Sequence, residues 1–435
     1  MDAAAYWNKN MTGTATTEKN KIDSAKEIMD KLIDRRVLAA LEVCVRCGIC
    51  TESCHYYRSN PKLEHTPYYR AEQVRRVYRQ FIDPVSRAFP GWFGAKATAD
   101  EALSKLAETA FAGCTLCHRC TFECPFGVET AEIMRVMRSV ATATGYGPEM
   151  LSEIAGAAIA KEENADLFRE IFLEQVKELE KEVQDRLGSS KASIPVDKQG
   201  ARFLYVPLAG AHTIIPQAII FNLAKESWTL SMFDTANYAV FLGDIAKAKR
   251  IAQRIIKEAE ALKVQEMIIT ECGHGYTAMR WEVPKWFSSP LSFRVRNIIE
   301  VLDEYIRDGK LHVNPSTNGE PVTYHDSCNL GRKGGLLEEP RRVIQAVVGD
   351  FREMTPNRLH SFCCGAGSGL VAVPEWTDIR LQAGKLKADQ IRHTGAKIVV
   401  TSCDNCRYQI GELSEHYGLN IEVTSISELT AKALA

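Results

Sequence analysis

Residues 361–370 read SFCCGAGSGL, with two adjacent cysteines, Cys363 and Cys364, in front of a glycine-rich turn. Neighbouring residues are poorly placed to close an ordinary disulfide with each other, so the pair has to be read against the other twelve cysteines. The stretch MDAAAYWNKN at the start has neither a basic n-region nor an apolar h-region, so no signal peptide is expected. Fourteen cysteines without an export signal argue for ligands or redox chemistry rather than a disulfide framework. Four lie in 44–54, four in 114–124, and five of the remaining six in 328–406.

A chain of 435 residues is too long for one compact core and suggests two or three domains. The formal net charge of −1 gives no reason to expect nucleic acid or an anionic lipid surface as the main partner. The longest apolar run, around IIPQAIIFNLA, is far short of a membrane span, so a soluble, intracellular chain is expected.

Three parts are expected. In residues 1–148, SAKE at 24–27 reads as a capping box of Ser24 and Glu27, followed by helical spacing of Ile28, Leu32 and Ala39. Ile133, Val136, Met137 and Val140 give an apolar helix face beyond the second cysteine group. Between the groups, 55–113 is helix-like and carries Arg70, Arg75, Arg76, Arg79, Tyr68, Tyr69 and Tyr78. That mix suits a solvated helix or docking face better than a nucleic-acid site. Residues 149–200 form a helical connector whose stripe of Phe172, Val176, Leu179, Val183 and Leu187 reads as a helix packed across a domain boundary, ended by GSSKAS.

From 201 onward short apolar runs alternate with helical stretches, an α/β pattern. QEMIITECGHG (265–275) matches AKIVVTSCDNC (396–406), placing Cys272 over Cys403 and Gly275 over Cys406. The same offset sets Phe233 against Cys364, and Ala209 is the counterpart of Cys328. The region therefore reads as a duplication, with a degenerate half (201–312) and a complete half (313–435).

CVRCGICTESC supplies Cys44, Cys47, Cys50 and Cys54, and CTLCHRCTFECP supplies Cys114, Cys117, Cys120 and Cys124. In such pairs three thiolates curl around one iron–sulfur cube and the fourth reaches the other. The expected sets are Cys44, Cys47, Cys50 and Cys124 on one 4Fe–4S cube, and Cys114, Cys117, Cys120 and Cys54 on the other. Structural zinc also uses CxxC pairs, but it has no use for a third CxxC step with a crossed fourth ligand. His55 follows Cys54 where a proline would be usual. The 59-residue interval between the groups resembles the α-helical ferredoxins of respiratory complexes.

The last group, Cys328, Cys363–Cys364–Gly365 and Cys403–Cys406, with HDSCNLGR (325–332) and FCCGAGSG (362–369), resembles the cysteine-rich CCG module of heterodisulfide reductase catalytic subunits. Nearly the whole chain is similar to HdrD, the fused catalytic subunit of that enzyme, and to the DsrK, TmcB and HmcF proteins. The resemblance implies an α-helical dicluster ferredoxin domain followed by a duplicated α/β CCG domain, in which these five cysteines hold a noncubane 4Fe–4S cluster. Glycines after the pair would let the backbone approach the cluster and donate N–H bonds. Two-cluster relatives carry two complete modules. This chain has one, which favours the DsrK-like branch.

Cys272, beside His274, is a redox-active thiol facing that cluster, an extra ligand to it, or a buried remnant, and His274 with nearby N–H groups would lower its pKa. His325 and His360 flank cluster cysteines as proton donors or as satisfied core histidines. The implied activity is electron transfer through the cubes to or from a disulfide, trisulfide or thiol substrate, with a DsrC-like protein as the implied sulfur carrier. The implied partners are a membrane cytochrome b that handles quinone and other iron–sulfur or cytochrome subunits. That places the chain in the cytoplasm, peripheral on the inner face of the membrane. Alternatives are an iron–sulfur subunit passing electrons from a flavoprotein dehydrogenase to quinone, and a zinc-stabilised scaffold.

Overall fold

The computed structural model describes residues 18–93, 100–208 and 210–434. The MDAAAYWNKN stretch and Ala209 lie outside the described residues. The chain groups into two compact units. One comprises Met1–Ile154, Tyr238–Ile245 and Leu359–Asp389. The other comprises Ala155–Asn237, Ala246–Arg358 and Gln390–Ala435.

The first unit is helical. Helix Glu18–Leu32 runs straight through Ser24 and Glu27, so these residues do not form a capping box. The helical spacing also breaks before Ala39. Asp34 caps a new helix, Arg35–Val43, its Oδ1 accepting from the N–H groups of Arg36 and Val37 at 2.9 Å each. Helices Pro67–Phe81, Asp100–Phe111 and Thr130–Ala143 complete the frame around the cysteine groups. Ile133, Val136, Met137 and Val140 are all buried, as their periodicity predicts.

The basic, aromatic helix Pro67–Phe81 departs from its expected role as a surface. Arg70, Arg75 and Tyr78 are buried along with Ala71, Val74 and Phe81. Arg75 pairs with Glu72 and donates to Leu41 O at 2.5 Å. Sequence periodicity reads an arginine as solvent-facing, whereas here the guanidinium groups satisfy backbone carbonyls that no helix partner reaches.

The strongest case is Arg138, which is fully buried. It donates to Ala110 O (2.9 Å), Cys114 O (2.8 Å), Phe111 O (3.4 Å), Phe241 O (3.0 Å) and Ser368 O (3.0 Å). One side chain thus joins the cysteine loop at 114, the segment 238–245 and the turn after Cys363–Cys364. Burial pulls its pKa down to about 10, which leaves it charged at neutral pH.

The second unit is α/β. Helix Ala165–Leu187 buries Val176 and Val183 and rests Phe172, Leu179 and Leu187 on the core, and Gly188 ends it at φ 57°. Four parallel strands follow: β1 (Phe203–Val206), β2 (Trp228–Leu230), β3 (Glu266–Ile269) and β4 (Arg294–Asn297), in the order β2-β1-β3-β4. A second parallel sheet holds β5 (Val322–His325), β6 (Ile398–Thr401) and β7 (Glu422–Thr424), in the order β5-β6-β7. The central strands β1 (FLYV), β3 (EMII) and β6 (IVVT) carry nearly continuous apolar runs, which suits strands buried on both faces, while the edge strands β4 (RVRN) and β7 (EVT) are more polar.

The duplication is visible in detail. β3 leads through Cys272 into helix Gly273–Thr277, and β6 leads through Cys403 into helix Asp404–Tyr417. β4 and β7 each feed a helix opened by a capping box, Asn297 with Glu300 and Ser425 with Glu428. Cys272 and Cys403, equivalent in the two halves, meet in an isolated antiparallel bridge. No helix among the described residues is long and apolar enough to cross a membrane.

Replacing Arg138 with methionine keeps much of its volume but leaves several buried carbonyls unpaired, at roughly 1–3 kcal/mol each before relaxation. A thermal or denaturant melt of R138M should therefore show loss of several kcal/mol of stability in the first unit, far more than the same change at exposed Arg36.

Candidate metal centres

The two cysteine loops of the first unit share a backbone device that their spacing does not reveal. In the first, Arg46 and Gly48 take positive φ (58° and 83°), and in the second Leu116 and His118 do so (50° and 60°). Left-handed residues two and four positions after the leading cysteine coil each loop so that its three leading thiols line one cavity.

The thiols line two cavities. The first is bounded by Cys44, Cys47, Cys50, Cys120 and Cys124, with Tyr68, Pro125 and Phe126. The second is bounded by Cys54, Cys114, Cys117 and Cys120, with Tyr56, Arg70, Thr115 and Arg119. Burial, followed by the charges of Cys44, Cys124 and Cys47, pushes the Cys50 thiol up to about 11. Burial and then Cys117, Cys114 and Cys54 push Cys120 well up. Four sulfurs that oppose one another's ionisation need a cationic centre to hold them together as thiolates. The donor sets therefore fit iron–sulfur cubes.

Three arginines that no motif marks surround the second cavity. Arg70 Nη2 donates to Cys54 Sγ at 3.0 Å and to His65 O at 3.1 Å, and its Nη1 donates to Gly113 O. Arg119 donates to Ser53 O (2.5 Å) and His360 O (2.8 Å), and its guanidinium lies 4.2 Å from the centre of the Phe362 ring. Arg138 holds Cys114 O. The sequence reading named Arg70 only as part of a surface helix and singled out neither Arg119, inside the second cysteine motif, nor Arg138.

The Cys363–Cys364 turn belongs to the same unit. Gly365 has φ 104°, and a Cβ there would lie 2.5 Å from Arg380 O. A Cβ on Gly367 would lie 2.9 Å from Thr115 O and 3.8 Å from Cys363 Sγ. Ser368 Oγ donates to Thr115 O at 2.7 Å. The glycines thus allow the turn to lie directly on the Cys114–Cys117 loop, and the Gly365 N–H reaches Cys363 Sγ at 3.5 Å.

Cys328, Cys403 and Cys406 are buried in the second unit, as is His325 at the end of β5. Cys272 is 1% exposed; its Sγ lies 3.3 Å from His274 Nδ1 and accepts from Gly275 N at 3.4 Å. The expected lowering of its pKa does not occur. Burial, with the charge of Cys403, pushes the Cys272 thiol well up, and burial brings His274 down to about 4, so the two face each other uncharged. His360 is mostly exposed, its Nδ1 sits 2.8 Å from Glu123 Oε1, and it belongs to the first unit, whereas Cys272 belongs to the second. The sequence reading missed His212, whose Nε2 lies 2.9 Å from Asp404 Oδ1, next to Cys403.

Family comparison finds a 4Fe-4S dicluster domain over residues 40–128 and a cysteine-rich domain over residues 322–411. The chain joins these two domains. It is 28% identical to the Hdr-like menaquinol oxidoreductase iron-sulfur subunit 2 of Archaeoglobus fulgidus, over 95% of this chain and 82% of that protein. It is 25% identical to a subunit of the dihydromethanophenazine:CoB--CoM heterodisulfide reductase of Methanosarcina barkeri, over 91% of this chain and 95% of that protein. The EtfAB:quinone oxidoreductase of Syntrophomonas wolfei is 24% identical over 86% of this chain and 55% of its own length. The chain thus combines a 4Fe-4S dicluster domain with a cysteine-rich domain and is similar along most of its length to iron–sulfur subunits of heterodisulfide reductase-like oxidoreductases.

His274 gives a pH signature. Its folded pKa of about 4 lies below the ordinary value of 6.5, so its contribution to stability is present above pH 6.5 and is lost as pH falls toward 4. Between pH 7.5 and 5.5 that loss is about 1.4 kcal/mol. Denaturant melts at the two pH values should show H274Q losing less stability on acidification than the parent by about this amount.

Proposed function

We propose that the chain is an electron-transfer and catalytic subunit in which two 4Fe–4S cubes exchange electrons with a noncubane cluster acting on a disulfide, trisulfide or thiol. Cys44, Cys47, Cys50 and Cys124 hold the first cube. Cys54, Cys114, Cys117 and Cys120 hold the second. Cys328, Cys363, Cys364, Cys403 and Cys406 hold the noncubane cluster. The observation that carries this reading is the packing of the Cys363–Cys364 turn on the Cys114–Cys117 loop, through Ser368 Oγ and Thr115 O at 2.7 Å. A sulfur-active centre supplied with electrons by a cube needs such a short covalent and hydrogen-bonded link.

The clusters supply one-electron storage and sulfur affinity when bound. The protein fixes their surroundings. Arg138 and Arg119 hold the loops in register, and the glycines keep side chains away from the Cys363–Cys364 sulfurs. Cys272, buried beside Cys403 with its Sγ 3.3 Å from the neutral His274 Nδ1, is the candidate thiol for one half of a cleaved sulfur–sulfur bond, giving its proton to that ring as its sulfur attacks, while the other half leaves as a thiol. His325 is a buried candidate proton donor, and His360, paired with Glu123, a candidate proton entry point.

A membrane subunit of the cytochrome b kind handling quinone is the proposed partner, placing the chain peripherally on the inner face of the membrane. A small DsrC-like protein is a proposed sulfur carrier. The likeness to an EtfAB:quinone oxidoreductase favours a second reading, in which the electrons come from a flavoprotein and go to quinone. Turnover with reduced electron-transferring flavoprotein, and none with any sulfur substrate, would decide for the second reading.

Anaerobically purified protein should contain about twelve irons with matching sulfide. Cys364→Ala should lose about four of them and all turnover of a sulfur substrate, while both cube signals persist by electron paramagnetic resonance. Stoichiometric zinc with little iron would overturn the assignment.

A further inference from the structure

The two cavities of the first unit differ in how positive charge reaches them. The arginine lining the first is Arg46, half exposed and paired to Glu72, its Nη2 2.8 Å from Oε2. Its charge is therefore largely offset and open to solvent. In the second, Arg70 is 2% exposed, and its acceptors are the carbonyls of Thr66, His65 and Gly113 and the sulfur of Cys54, none of them a carboxylate. Arg138, also buried, adds a second guanidinium against Cys114 O and is likewise held by carbonyls.

An electron added to a cube with four thiolate ligands adds negative charge to a site already negative. Its cost falls with nearby positive charge and with N–H donors aimed at the sulfurs. Solvent lowers that cost as well, and Cys47 of the first set is exposed to it. Arg70, however, acts at 3.0 Å from a ligand sulfur in a water-poor interior, where its charge is weakly screened and permanently in place.

The geometry points to Arg70 as the residue that sets the reduction potential of the second cube above that of the first. An electron shared between the cubes then rests on the second, the one whose loop touches the Cys363–Cys364 turn. The exchange is a single electron: the first cube loses what the second gains, and no proton moves. Arg70 is a positioning residue for that charge, not a participant in sulfur chemistry.

This inference rests on the reading of both cavities as 4Fe–4S sites, and iron and sulfide analysis tests that reading separately. A protein lacking the cube irons fails the reading, whereas one containing them allows the potentials to decide the role of Arg70. The test is a redox titration of the full chain followed by electron paramagnetic resonance. R70Q, which removes the charge, should lower the midpoint of the higher-potential cube by a tenfold or greater loss of electron affinity, about 59 mV for one electron. The lower-potential cube should not move. R70K, which keeps the charge but not the fork, should fall between. An unmoved higher-potential signal, a shift of the lower one, or equal shifts of both would overturn the proposal. Should R70Q fail to assemble its cube, Cys47→Ser decides the order of potentials in a protein with Arg70 intact. It should alter the lower-potential signal only, and altering the higher one would overturn the proposal.

Discussion

A buried guanidinium with no carboxylate beside it is expensive, and the first unit is organised around that cost. Arg138 can remain inside only because five backbone carbonyls, from Ala110, Phe111, Cys114, Phe241 and Ser368, converge on it. Those carbonyls come from segments far apart in sequence. The demand for acceptors therefore fixes the positions of a helix end, a cysteine loop and the turn behind the adjacent cysteines together. Any displacement of one segment strands the charge. That makes the arrangement stiff, as a site that must hold several thiols within bonding range of one centre requires.

The cysteine loops add a second constraint. Buried thiols, the more so when crowded together, resist ionisation, as the raised Cys50 and Cys120 show. The fold must therefore hold them close before any metal rewards it. Positive-φ residues at equivalent places in both loops achieve this through the backbone alone. Arg70 and Arg138 then bias one of the two sites, so near-identical motifs become electrically unequal. The cysteine spacing carries no trace of that inequality, which comes from helices between and beyond the motifs.

Much of this was legible in the sequence, and the boundary of legibility is physical. Cysteine spacing, strand-like apolar runs and the offset between Cys272 and Cys403 report local geometry and repetition, and so the helical dicluster part and the duplicated α/β part could be read directly. The capping box at Ser24 could not be trusted, because Asp34 offers a cap where the chain actually turns, and a local motif does not compete with tertiary packing. Arg70 and Arg75, read as part of a solvated or docking face, and Arg138, not singled out at all, escaped for a related reason. Composition assigns arginine to water, and only the three-dimensional supply of carbonyl acceptors reverses the assignment. The lowered pKa expected of Cys272 is reversed by burial, which sequence position does not reveal.

The degenerate half of the repeat raises the question of what it contributes, having only one of the five cysteines. Gly273, directly after Cys272, lies so close to the start of the π-helical turn Asn329–Lys333 that a Cβ would come within 2.5 Å of Leu330 N. Cys328 is the residue immediately before that turn. On the other side, the bridge between Cys272 and Cys403 ties the first half to the start of helix Asp404–Tyr417, which carries Cys406. Glu271 reaches across as well, accepting from Ile426 N at 3.0 Å and Ser427 N at 2.7 Å at the start of the last helix. Three successive residues of the degenerate half, Glu271, Cys272 and Gly273, thus press on segments of the complete half that carry or support its cysteines. A module of this kind can lose its ligands and remain necessary, because its backbone is the surface against which the other copy's thiols are placed.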